Sequence, residues 1–147
     1  NRPICYITTD YGTVYQLRNW LPNEVGGVMW YAPSRPCSST FVPLYAGISS
    51  LPSVWTGKTA YNTFKAVATS LDKPGLVDGE LRYQHYIPLV HDVYGSFEAE
   101  VSAAQDSVER RAARLSVEDR INYLTDYSNQ CATQAYNLAL WLPTQMR

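Results

Sequence analysis

Two apolar rhythms divide this sequence near Gly47, and their order constrains the fold more than anything else in it. Before Gly47 the apolar residues come in short runs rich in β-branched and aromatic types: 4–9 (ICYITT), 13–18 (TVYQLR), 26–31 (GGVMWY) and about 40–46. After it they recur three or four residues apart over long stretches. Strands first and helices after, with no βαβ alternation and no internal repeat, predict an α+β fold with antiparallel strands rather than a doubly wound parallel sheet.

Within the first part, Asp10-Tyr11-Gly12 reads as a tight turn joining 4–9 and 13–18 into a hairpin. The near-continuous apolar run at 26–31 suits a strand covered on both faces. Pro43 cannot donate to a ladder, so the fourth strand belongs at an edge or carries a bulge. In the second part, Tyr61, Phe64, Val67, Ala68 and Leu71 form a helical stripe over 59–71 that Asp72-Lys73-Pro74-Gly75 ends. Asp78 is a candidate N-cap for a long helix reaching about Leu115, with a kink or break expected between 85 and 96 at Pro88 and Gly95. Ser116, followed by Glu118 and Asp119, caps a last helix that Pro143 should close.

Composition excludes several classes of function. With 46% hydrophobic and 17% charged residues the chain has the material of one globular unit and not of a disordered one. Its formal net charge is −1, so no overall basic field favours nucleic acid or anionic lipid. Charged residues, Gly or Pro interrupt every apolar run before the ~18 to 20 residues that span a bilayer. A soluble chain is the expectation, in the cytoplasm or secreted.

Candidate chemistry is sparse. His85 and His91 are the only histidines and, six apart on a regular helix, diverge by about 120°; structural or surface roles suit them better than metal ligation. There is no G-x-S-x-G elbow. Glu98 with Glu100 reads as an exposed helix face, and Glu118 with Asp119 as a helix first turn. Arg110, Arg111 and Arg114 suit the C-terminal end of a helix. Cys5, Cys37 and Cys131 are widely spaced and match neither a C-x-x-C motif nor a disulfide-dense scaffold. Cys5 and Cys131 read as small buried hydrophobes. Cys37, in a loop beside Arg35, is the one weak candidate for a nucleophile, without an evident base. The four tryptophans and twelve tyrosines suit the core or subunit contacts better than a sugar or peptide groove.

The order of motifs carries more than their local chemistry. Val14-Tyr15-Gln16-Leu17-Arg18, then Leu21-Pro22 leading to Gly26-Gly27-Val28-Met29-Trp30, then the run from Pro36-Cys37-Ser38-Ser39 to Leu44-Tyr45, strongly resembles the dipeptidase A and secernin group of cysteine peptidases. Tyr123 to Tyr127 is similar to that family's last segment, so the resemblance covers essentially the whole chain. It implies an αββα sandwich of the N-terminal-nucleophile hydrolase kind. In that kind a processed N-terminal Cys attacks the peptide carbonyl and its own α-amine takes the thiol proton; no metal or organic cofactor is implied.

Residue 1 here is Asn. The resemblance therefore implies no catalytic residue in this chain: the nucleophile is expected upstream of Asn1. Residues 1–147 are then the C-terminal part of one catalytic domain, strand-rich over 1–47 and mainly helical over 48–147. The implied partners are the remaining N-terminal part of the same protein and a small peptide substrate, with a homo-oligomer possible; nucleic acid and a membrane span are not expected. Arg18 and Arg35 are the cations that would hold a substrate carboxylate, which Arg grips bidentately. The competing reading is a non-catalytic module whose aromatic-rich strands hold a peptide or glycan.

Overall fold

The computed structural model describes residues 5–6 and 8–146. Its first part is a three-stranded antiparallel sheet of β1 (Tyr11–Leu17), β2 (Gly27–Pro33) and β3 (Val42–Tyr45), in that order. Register sets Tyr15 opposite Met29, Val14 opposite Trp30 and Gln16 opposite Val28, then Trp30 opposite Pro43 and Met29 opposite Leu44. β3 is an edge strand, where the missing Pro43 donor costs no ladder bond. β1 forms the other edge. It carries no charged residue, and Tyr11, Val14, Tyr15 and Leu17 are all exposed, Leu17 at 80%.

The expected 4–9 strand is not seen among the described residues. Ile4 and Ile7 lie outside the described residues, while Cys5, Tyr6, Thr8 and Thr9 have no strand pairing and Thr9 N donates to Tyr6 O in a turn. The expected turn residues Tyr11 and Gly12 instead belong to β1, whose partner is β2. Between β1 and β2 the chain turns through the one-turn helix α1 (Asn23–Gly26). Arg18 N donates to Gly26 O at 2.9 Å, and a Cβ added to Gly26 would stand 2.5 Å from the Arg18 carbonyl oxygen. The first glycine of the Gly-Gly pair is thus fixed by a close backbone approach.

α2 (Lys58–Leu71) forms as its stripe predicts, burying Ala60, Phe64, Val67, Ala68 and Leu71. Asp78 does not cap a helix. Asp78 and Gly79, with φ of 50° and 85°, make the two-residue turn between β4 (Leu76–Val77) and β5 (Glu80–Leu81); Asp-Gly suits such a turn because both of its residues tolerate positive φ. α3 (Arg82–Ala113) then runs unbroken through Pro88 and Gly95. Pro88 lies in its second turn, on the exposed side, where the bond it forgoes is one among many.

α4 (Val117–Gln145) starts as the sequence predicts: Ser116 Oγ accepts from Asp119 N at 3.2 Å and donates to Asp119 Oδ2 at 2.7 Å. It ends two residues beyond Pro143, which sits inside the last turn.

α3 and α4 form an antiparallel hairpin whose two ends bury different parts of the sheet. The first half of α3 and the second half of α4 close with α2 over Val42 and Leu44. The far end, Val108, Ala112 and Leu124, closes over Val25, Val28 and Tyr45. All four residues of β3 are buried between these clusters, whereas β1 receives little cover. No helix among the described residues is long and apolar enough to cross a membrane.

Candidate functional site

The segment from Pro33 to Phe41 packs chemistry into a short span. Ser34, only 4% exposed, takes φ of 73°, a left-handed conformation that a residue with a Cβ adopts at a cost. Its N–H donates to Asp10 O at 2.7 Å, drawing the 8–10 segment alongside. Arg35 is 6% exposed; Nη2 reaches Asp72 Oδ1 at 2.8 Å and Ala68 O at 3.3 Å, and Nε donates to Ser38 Oγ at 3.1 Å. The guanidinium thereby joins this loop to the C-terminal end of α2, where carbonyls lack helical partners and a cation is favoured.

A cleft of about 470 Å³ opens beside Arg35, walled by Asp10, Ser34, Tyr61, Lys65 and Asp72 among others. Tyr61 Oη donates to Asp10 Oδ1 at 2.8 Å and receives Lys65 Nζ at 3.1 Å. That bond from Tyr61, reinforced by its charge field, holds the Lys65 ammonium above its ordinary range.

Arg18 lies in a different place. Its Nη1 meets Glu109 Oε2 at 2.7 Å and its Nη2 reaches Val25 O at 3.4 Å. Glu109 is buried on α3, and its other oxygen accepts from Tyr45 Oη at 3.2 Å and Gln105 Nε2 at 2.8 Å. Gln105 also donates to Gln16 Oε1, the acceptor of the Trp30 indole N–H at 2.9 Å. Burial first, then the Glu109 carboxylate, push the Tyr45 phenol far above its ordinary range, so it stays a neutral donor. The network knits β1, β2 and β3 to α3. Arg18 and Arg35 are not brought together, and each holds a carboxylate of this chain.

The cysteines depart from expectation. Cys5 and Cys37 are joined in a disulfide, with Cα atoms 5.8 Å apart, and are not a strand hydrophobe and a free loop thiol. Cys131 is buried as predicted, and loss of solvent pushes its thiol up to about 11. Two of the three are thus bonded to each other, and the third is held in its protonated form at neutral pH.

Glu98 is not a solvated carboxylate: its Oε1 accepts from Thr40 Oγ1 at 2.9 Å and Phe41 N at 2.8 Å, fastening the start of β3 to α3. Glu100 is exposed. His85 Nδ1 stands 3.9 Å from Glu80 and His91 is exposed. Arg110 pairs with Asp106 one turn back, and Arg111 lies over the Tyr123 ring. Trp55 Nε1 donates to Ala132 O, while Trp20 and Trp141 are exposed.

Sequence reasoning missed Glu109, Asp72, Lys65 and Arg120. Arg120 Nε and Nη2 hold Ala112 O and Leu115 O at the end of α3 while Nη1 meets Glu24 Oε2 at 2.8 Å. Their partners lie far off in sequence, so no spacing rule points to them; Lys65, four residues after Tyr61 on α2, is the exception that a search of helix pairs would have found.

Residues 1–71 match the family model of peptidase family C69. The matched segment ends at the last residue of α2, so it contains all three strands of the sheet, the Cys5–Cys37 disulfide, Arg18 and Arg35. Tyr123 to Tyr127 lies outside it, yet packs on it: the Tyr127 ring sits 6.2 Å from that of Tyr45, and Thr125 Oγ1 accepts from Ser49 N at 3.0 Å. No curated protein and no solved structure matches the chain.

Proposed function

We propose that this chain, whose residues 1–71 belong to peptidase family C69, is the supporting part of a cysteine-type dipeptidase whose nucleophile lies outside it. The observation that carries the reading is the state of the three cysteines. Two are bonded to each other and the third is a buried thiol pushed away from ionisation. The reacting thiol then comes from an N-terminal Cys upstream of Asn1 in the parent protein, and its α-amine, which titrates near neutral pH, takes its proton.

The bare β1 edge supports the same reading. A seven-residue uncharged edge with four exposed apolar side chains is a surface that soluble proteins cover or break with charge. The proposal assigns that cover to the N-terminal part of the same domain, which completes an αββα sandwich. Arg18 and Arg35 enter as the groups for the substrate's terminal carboxylate, which takes over the place of Glu109 or Asp72. Asp72, with its side chain 32% exposed, yields more easily than Glu109 at 9%, so Arg35 is the favoured one. The exposed aromatics Tyr11, Tyr15 and Trp20 favour, as a second reading, a non-catalytic module that holds a peptide or glycan. An intact-mass measurement on the native source separates the two: the peptidase reading expects a companion beginning with Cys, or one precursor containing both parts, and the binding module expects neither.

A further inference from the structure

We infer that the cleft between Asp10 and Lys65 is a binding site for a free α-amino acid, held by its ammonium and its carboxylate together. The inference goes beyond the peptidase reading: it shares the cleft in which Arg35 is proposed to hold a substrate carboxylate, but it rests on Asp10 and Lys65 and concerns a free amino acid, not the reaction.

Four charged side chains line the cleft, two of each sign: Arg35 and Lys65, Asp10 and Asp72. Arg35 and Asp72 neutralise each other at 2.8 Å. That leaves Lys65 and Asp10 as the poles available to a ligand, set on either side of one tyrosyl oxygen, 3.1 Å and 2.8 Å from it. A ligand bearing a single charge meets an attractive and a repulsive pole at similar range and gains little. A zwitterion laid head to tail against the pair satisfies both, and the ammonium and carboxylate of an α-amino acid, one carbon apart, match poles bridged by one oxygen.

The setting is built rather than incidental. The Asp10 side of the wall is fixed by the Ser34 N–H bond from a strained backbone and by the Cys5–Cys37 disulfide a few residues away. The Lys65 side rides on α2, whose end Arg35 ties to the same loop. Thr8, Thr9 and Thr69 complete the lining, so a small side chain suits the remaining space.

Isothermal titration of the full chain, with its companion part where the mass measurement finds one, tests this with L-serine, N-acetyl-L-serine and L-serinamide. L-serine should bind saturably in the millimolar range, and each blocked analogue at least about tenfold more weakly. Lys65→Met and Asp10→Asn should each abolish the L-serine signal while Lys65→Arg keeps it, with the melting temperature recorded for every variant. Equal binding of L-serine and either blocked analogue, retention of binding in both folded loss variants, or no binding of L-serine to the folded protein would overturn the inference. These outcomes are read by binding at Asp10 and Lys65 and not by turnover, so their failure is distinguishable from failure of the peptidase reading, which dipeptide hydrolysis by the parent tests.

Discussion

Arg18, one residue past the end of β1, and Glu109, three turns into the second half of α3, meet at 2.7 Å across ninety-one residues of chain. Glu109 is the buried acceptor on which Arg18, Tyr45 and Gln105 converge. Removing one partner of a buried, hydrogen-bonded pair leaves the other charge unpaired, at a cost of about 3 to 5 kcal/mol. Glu109→Ala should lower unfolding stability by that amount in urea denaturation, and Glu109→Gln, which keeps two of the contacts, by less. A loss under about 0.5 kcal/mol for Glu109→Ala would mean that the pair does not fasten β1 to α3.

The two arginines make separable predictions in the parent enzyme. Loss of a bidentate grip on a substrate carboxylate costs about 2 to 4 kcal/mol in transition-state binding, one to three orders of magnitude in kcat/KM. Arg35→Met should show that loss in a dipeptide assay, while Arg18→Met should act mainly through stability. If both variants, checked as folded, hydrolyse dipeptides within about twofold of the wild type, neither touches the substrate.

Acid should loosen the corner where α1 meets the α3–α4 connection. Backbone hydrogen bonds first, then Arg120, hold the Glu24 carboxyl below its ordinary value of 4.5. A carboxyl depressed on folding stabilises the folded state above its unfolded value, and that contribution is lost as pH falls through the folded value. Stability measured from pH 6 down to pH 3 should therefore decline below 4.5, and Glu24→Gln should flatten part of the decline. An unchanged profile in Glu24→Gln would remove this pair from the account.

Local signals in the sequence found those elements whose causes are local. The stripe from Tyr61 to Leu71, the Ser116 cap and the edge position of Pro43 each rest on residues within one element. Errors arose where one residue type serves two local structures. Asp78 suits a helix cap and an Asp-Gly turn equally, and only the pairing of Leu76 with Leu81 decides between them. Cys5, Tyr6, Thr8 and Thr9 come from a strand-like run, yet Thr9 turns back on Tyr6, and β1, the hairpin partner expected for them, pairs with β2.

The site was less legible for the same reason. Arg18 and Arg35 stood out as cations beside a recognisable motif, but Glu109 and Asp72, which occupy them, lie ninety-one and thirty-seven residues away. Cys5 and Cys37 are separated by thirty-two residues with no motif spacing, so only the folded chain brings them together.

The central claim is that the thiol which cleaves the peptide is not one of this chain's three, and hydrolysis of a dipeptide panel by the purified chain alone tests it most directly. The assay is run in oxidising buffer, where Cys5 and Cys37 stay bonded, and again in reducing buffer, where Cys37 is released beside Arg35. An internal thiol has no α-amine to act as its base, and burial pushes the Cys131 thiol up to about 11. The account predicts no turnover under either condition; robust hydrolysis in reducing buffer that vanishes in Cys37→Ser would contradict it and make Cys37 the active thiol.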